Sequence, residues 1–263
     1  MDTGLKGKVA LVTAASKGLG RAAALALASE GASLAICARG QAALRAAADG
    51  IRAATGAEVI AIDADVTRPD DITRTVCQAV DRFGGLDILV TNAGGPRSAP
   101  FEALTDQDWR HAVDLLLLSV VRLSAAVVPH MRRRGGGRII HITSMSVKQP
   151  IDGLMLSNSI RAAVVGFAKT LSNELAADRI LVNCVAPGYT RTDRVVELNA
   201  AVAAREGIPA AEVERRLLAK VPLGRLGEPR ELADLIVFLA SERSSYITGT
   251  TIPVDGGFLR GLM

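Results

Sequence analysis

Residues 8–27, KVALVTAASKGLGRAAALAL, decide the fold. Residues 9–13 are a short apolar, β-branched run of the kind that makes a buried strand, and residues 21–28 are an Ala- and Leu-rich segment with strong helix propensity. Between them lie Ser16, Lys17, Gly18, Leu19 and Gly20. A strand that turns through glycines into a helix aims bare backbone N–H groups and the positive helix end at one point, which suits a pyrophosphate. The same geometry also serves as a plain connection in α/β proteins, so this stretch alone leaves both open.

Outward from it, strand-like and helix-like segments alternate. Strands are expected at 33–38, 58–62, 86–91, 138–143, 180–185 and 250–254, and helices at 41–54, 69–83, 106–134, 159–177 and 229–240. The alternation predicts an α/β protein: a Rossmann-type doubly wound parallel sheet with helices on both faces, in a single domain over residues 1–263. Ligands in such sheets bind beyond the carboxyl ends of the strands, here the loops at Thr13, Ala38, Asp63, Asn92, Ser144 and Ala186. Residues 191–225 break the rhythm with two helical patches, 194–205 and 210–219, separated by Gly207 and Pro209. An excursion of this length is a lid or substrate loop, with a surface helical hairpin as the alternative.

At 263 residues, 49% hydrophobic and 22% charged, the chain is long enough for one large core. No uninterrupted apolar run reaches the ~18 residues that span a bilayer, and MDTGLKGK at the N-terminus lacks a signal peptide's apolar core. A cytoplasmic protein without membrane contact is expected. Cys37, Cys77 and Cys184 are odd in number and far apart, as buried free thiols are. His111, His130 and His141 are too scattered to hold a metal. The formal charge of +4 does not signal nucleic acid: Arg132, Arg133 and Arg134 precede three glycines as at a helix end, and aromatics are only 3%, too few for base stacking. Positive charge also suits a phosphorylated cofactor.

Five ordered motifs resemble the short-chain dehydrogenases/reductases: TAASKGLG from Thr13 to Gly20, Asp65 with Val66, TNAG from Thr91 to Gly94, PGYTRT from Pro187 to Thr192, and VDGG from Val254 to Gly257. The resemblance spans essentially the whole chain and is strongest to 3-oxoacyl-carrier-protein reductase-like members. It implies a dinucleotide held by Thr13, Ser16, Lys17, Gly18, Leu19, Gly20, Arg39, Asp65, Val66, Asn92, Ala93, Gly94, Arg161, Pro187, Gly188, Thr190 and Thr192. It also implies a homo-oligomer, a tetramer or dimer. An acidic residue ending the second strand would accept bonds from a ribose 2′-hydroxyl, whereas Arg39 stands there, with Lys17 in the glycine loop. Two cations fit a 2′-phosphate, so NADP(H) is expected over NAD(H). Ala14 replaces the first glycine of the loop, which puts a Cβ where the family has none.

The larger departure is catalytic. The family uses an Asn–Ser–Tyr–Lys tetrad; aligned on RIIHITS and RAAVVGFAKTL, its Ser falls on Ser144, its Tyr on Ser157, its Lys on Arg161 and its Asn on Leu116. A serine hydroxyl is far less acidic than a phenol of pKa ~10, and an Arg does not give up its proton near neutrality. Lys148, in the loop SMSVKQPIDG, is the candidate replacement donor if buried, and a solvated lysine otherwise. Tyr189 and Tyr246 are the only tyrosines, and neither has a lysine four residues on. Three functions stay open: an NADP(H)-dependent oxidoreductase acting on a small carbonyl or alcohol with an altered proton supply, an inactive cofactor-binding sensor or scaffold, or a non-redox lyase or hydratase on the same fold. Leu154, Met155 and Leu156 are expected to line an apolar substrate pocket.

Overall fold

The computed structural model describes residues 2–262. Seven strands, β1 (Val9–Thr13), β2 (Ser33–Ala38), β3 (Val59–Asp63), β4 (Ile88–Thr91), β5 (Gly137–Ile142), β6 (Ile180–Pro187) and β7 (Thr251–Val254), form one parallel sheet in the order β3-β2-β1-β4-β5-β6-β7. Both faces are covered, which is why the central strands are near-continuous apolar runs and not alternating ones. On one face α1 (Gly18–Ser29), α2 (Gln41–Thr55) and α9 (Pro229–Ala240) pack onto Ala10, Val12, Ile36, Val90 and Ile140. On the other, α3 (Pro69–Phe83), α5 (Ser119–Arg134) and α6 (Met155–Glu174) pack onto Leu11, Ala35, Leu89, Ile139 and Val182. The strand order reverses between β1 and β4, so the crevice for a ligand opens at their carboxyl ends.

At the opposite ends, Asp87 joins three elements. Its Oδ2 accepts from Val9 N at 2.8 Å, and its carboxylate takes Arg134 Nε at 3.1 Å and Nη2 at 3.0 Å. The start of β1, the start of β4 and the end of α5 are thereby fixed to one another. β7 is an edge strand; Thr250 and Val254 turn their carbonyls inward to Cys184 N (2.8 Å) and Gly188 N (2.9 Å), and Pro253 lies between, on the open side.

Several boundaries differ from expectation. The helical region 106–134 is α4 (Asp106–Val113), a π-helical turn at Asp114–Leu118, and α5. α4 itself opens on a capping box in which Thr105 Oγ1 accepts from Asp108 N at 3.2 Å and Thr105 N donates to Asp108 Oδ2 at 2.9 Å. Within Asp106–Arg134, a helical region of 29 residues, an 18-residue window reaches a mean hydropathy of 1.9, apolar enough to cross a membrane although charged residues interrupt it. Half of that stretch is buried inside this fold against α3, β4 and β5, so it is a core helix. α6 begins at Met155, four residues before the expected start: Ser157, Asn158 and Ser159 are weak helix formers, but Leu156 and Ser157 are buried and Asn158 Nδ2 donates to Ile151 O at 2.9 Å. Strand β4 begins at Ile88 instead of residue 86, and β5 runs one residue earlier than expected. Cys77 is exposed on α3, against the expectation of three buried thiols. The 191–225 excursion holds α7 (Asp193–Glu206) and α8 (Ala210–Leu218), close to the two patches expected.

Candidate active site

The glycine loop is built by three contacts. Thr13 Oγ1 donates to Asn92 O at 2.7 Å and accepts from Asn92 N at 2.8 Å, tying the end of β1 to the loop after β4. Asn92 Nδ2 reaches Ala14 O at 3.4 Å. Gly20 sits against this pair: a Cβ there would lie 2.4 Å from Ala14 O and 2.9 Å from Asn92 Nδ2, so only glycine lets α1 approach. Gly18 has φ +57°, and no side chain caps the start of α1, which leaves its first N–H groups for a ligand. Ala14 itself takes φ +47°, the left-handed region where the family's glycine is at ease.

One cavity of about 420 Å³ runs from this loop across the sheet crevice. Of the residues expected to bind a dinucleotide, Ser16, Lys17, Gly18, Leu19, Arg39, Asp65, Val66, Asn92, Ala93, Gly94, Arg161, Pro187, Gly188, Thr190 and Thr192 line it. Thr13 and Gly20 are buried behind it as supports. At the rim, Arg39 faces Asp65 at 3.8 Å. Burial pushes the Asp65 carboxyl up, but bonds from Thr67 N (2.9 Å) and Oγ1 (2.8 Å), with Arg39, outweigh it and hold the group below its ordinary pKa. Lys17, expected free for a 2′-phosphate, is held by Asp193 of α7 at 3.0 Å, with both side chains exposed. That hydrogen bond, foremost, raises the Lys17 pKa.

The far end holds Ser144, Ser157 and Arg161 together on the same cavity. Ser144 ends the extended run after β5, and its Oγ accepts from Ser146 N at 3.1 Å. Ser157 and Arg161 sit one turn apart on α6, and Ser157 is buried. Arg161 Nη1 donates to Ile142 O at 3.1 Å, and no carboxylate lies within 4.0 Å of it among the described residues. Burial, then the neighbouring Arg194 cation, pushes Arg161 down to about 10, so it stays charged at neutrality. Leu116, on the π-helical turn, closes a void of about 10 Å³ shared with Asn92, Ser119 and Arg161, at the lower limit of one water.

Lys148 is not brought to this group. It is exposed at the end of a short turn, bonded through its backbone N to Met145 O at 3.0 Å, and does not line the cavity. Of the expected apolar wall, Leu154 lines the cavity, whereas Leu156 is packed in the core with Ile160 and Met155 is exposed. Tyr189, set aside in the sequence for want of a lysine four residues on, and Arg194, not singled out there, both line the cavity. Tyr189 meets Phe258 edge-on at 5.3 Å; burial, and Asp152 secondarily, raises its pKa. The only signal for either was position: both lie within or directly after the PGYTRT motif.

The family profile described as enoyl-(acyl carrier protein) reductase matches residues 13–259. A 3-oxoacyl-[acyl-carrier-protein] reductase of Synechocystis sp. is 38% identical over 261 residues, covering 98% of this chain and 99% of the relative. This chain belongs to the short-chain dehydrogenase/reductase family. Members of that family similar to it include the 3-oxoacyl-[acyl-carrier-protein] reductase of Vibrio cholerae, 38% identical over 253 residues, with 96% and 98% coverage. Among solved members, the L-sorbose reductase of Gluconobacter frateurii, complexed with NADPH and L-sorbose, superposes with a TM-score of 0.95 at 36% identity over 100% of both chains. These relatives are named as reductases, and the solved one holds NADPH and L-sorbose.

Proposed function

We propose that this chain is an NADP(H)-dependent reductase of small carbonyl compounds that works without the family's Tyr–Lys pair. The observation that carries the reading is the single cavity joining the glycine loop to Ser144, Ser157 and Arg161. The loop fits a dinucleotide: Gly20 leaves room no other residue would, and α1 offers uncapped N–H groups. Arg39 supports a 2′-phosphate over a free 2′-hydroxyl, and Arg161 stands where a ribose would be held. When bound, NADP(H) supplies a hydride to the carbonyl carbon. The hydroxyls of Ser144 and Ser157 hold the carbonyl oxygen, and the Arg161 cation steadies negative charge as it develops there. The proton that completes the alcohol comes from water, since neither serine nor guanidinium releases one readily. Pro96, Ile151, Leu154, Val195 and Leu198 give the substrate end an apolar wall, part of it from α7, so the 191–225 excursion acts as its lid. The family resemblance implies, and we propose, that the protein works as a homo-oligomer.

Titrating NADPH and NADH separately, then following NADPH absorbance over a panel of ketones and aldehydes, tests this. NADPH is expected to bind at least about tenfold more tightly, and Ser144→Ala to lower kcat/KM by about 10² with cofactor affinity retained. The exposed position of Lys148 favours a second reading, a cofactor-binding sensor, because the expected replacement donor does not line the cavity that holds Ser157. NADPH binding with no turnover on any carbonyl would establish that reading instead.

A further inference from the structure

Five cations line the cavity, and their partners differ. Lys17 faces Asp193 at 3.0 Å, Arg39 faces Asp65 at 3.8 Å, and Arg97 faces Asp108 at 2.8 Å. Arg194 has Glu197, an exposed carboxylate 3.7 Å from its Nη1. Arg161 has no carboxylate within 4.0 Å among the described residues; its one bond is to the Ile142 carbonyl. A half-buried guanidinium without a counter-charge is costly, and here a second guanidinium adds repulsion. Arg194 is held in that position: its Nη2 donates to Pro96 O at 3.1 Å, and its head packs so closely on Gly95 that a Cβ there would lie 2.7 Å from Nε. Both guanidinium-bearing residues line the one cavity, and burial first, then the Arg194 charge, depresses the Arg161 pKa.

Such a pair is stabilised by an anion, and a planar carboxylate matches the forked donors of Arg. The anion belongs beside the reacting carbonyl, because Ser157 lies one helical turn from Arg161 and both open on the cavity with Ser144. A serine at 157 in place of a phenol leaves the space. We infer, granted the carbonyl-reductase function proposed above, that the substrate is an oxo acid whose carboxylate, one or two carbons from the carbonyl, is clamped between Arg161 and Arg194. The apolar residues Leu154, Ile151 and Leu198 then receive the rest of the carbon chain.

The probes are 2-oxo-4-phenylbutanoate and 3-oxohexanoate, each against its methyl ester, which keeps the skeleton and removes the charge. kcat/KM is measured at saturating NADPH, and binding to the NADP⁺ complex by calorimetry, so that one readout needs no turnover. For at least one acid, the wild type is expected to prefer acid over ester by about tenfold or more in both readouts. Arg161→Gln and Arg194→Gln should each reduce that ratio to under about threefold, and any loss of cofactor affinity cancels in it. Arg161→Lys keeps the charge and loses the fork, and is expected to retain an intermediate preference; it also serves if the glutamine variant does not fold. Reduction of both esters as fast as their acids by the wild type would overturn the oxo-acid assignment and leave the reductase reading standing. A preference unchanged in both glutamine variants, with NADPH affinity falling tenfold, would assign the pair to the cofactor's phosphates and overturn it equally. Failure to bind NADPH at all would sink the reductase reading, and the clamp with it.

Discussion

Ala14 adopts φ +47°, a conformation that costs an L residue about 1–2 kcal/mol and a glycine little. Part of that cost is returned through the unfolded chain, where alanine has fewer conformations to lose. Ala14→Gly is therefore expected to raise stability by about 1 kcal/mol or less, read from the urea midpoint; a lowered midpoint would mean that the Cβ makes contacts worth more than the strain. The sequence identifies Ala14 as a departure but not its sign, since the dihedral is set by the Asn92 bridge to Ala14 O across 78 residues. Ser157 and Arg161 were legible as departures for the same reason that Arg194 was not. The first two sit in a spaced motif on one helix, whereas Arg194 reaches the cavity only because α7 folds back over Gly95 and Pro96.

Among the elements, the pairing most open to test is the Asp87 joint. Asp87 is nearly buried and Arg134 partly exposed, so the full cost of breaking a buried pair does not apply. Asp87→Ala, which also strips Val9 N of its acceptor, is expected to cost about 2–3 kcal/mol in chemical denaturation. Asp87→Asn keeps an oxygen for Val9 N and should lose about half as much; equal losses would mean that the charge, and not the backbone bond, carries the joint. Apolar runs and turn glycines make the strands and most helices plain in the sequence, with boundaries off by a few residues. The π-helical turn at Asp114–Leu118 is not, because a one-residue widening inside an apolar helix leaves its pattern almost unaltered. Yet that turn sets Leu116 against Asn92 and Arg161, where the family's asparagine would stand.

For the molecule as a whole, five motifs in order made the doubly wound sheet readable from the sequence, while the partners of its buried charges were not. His141 lies at the centre of the sheet, fully buried, with Nδ1 2.8 Å from Thr91 Oγ1 and Nε2 without a partner among the described residues. Burial pushes its pKa down from 6.5 to about 3. Between those values the unfolded chain binds a proton that the folded one refuses, so stability is full above pH 6.5 and falls as the pH drops towards 3. The slope from this group is up to about 1.4 kcal/mol per pH unit. Denaturant midpoints at pH 7, 6 and 5 should show it, and His141→Leu should flatten it; an unchanged slope in that variant would place the acid sensitivity elsewhere.

Pro253 bears on how copies of the chain can meet. With Thr250 and Val254 turned inward to β6, Thr251 and Pro253 present the outward backbone groups of β7, and at Pro253 the N–H is missing. A foreign strand approaching that border finds a missing rung. Prolonging the sheet from one molecule into the next through β7 is therefore disfavoured, and assembly along this side would rest more on side chains and helices, which choose their partner by shape and not by the promiscuous grammar of the backbone.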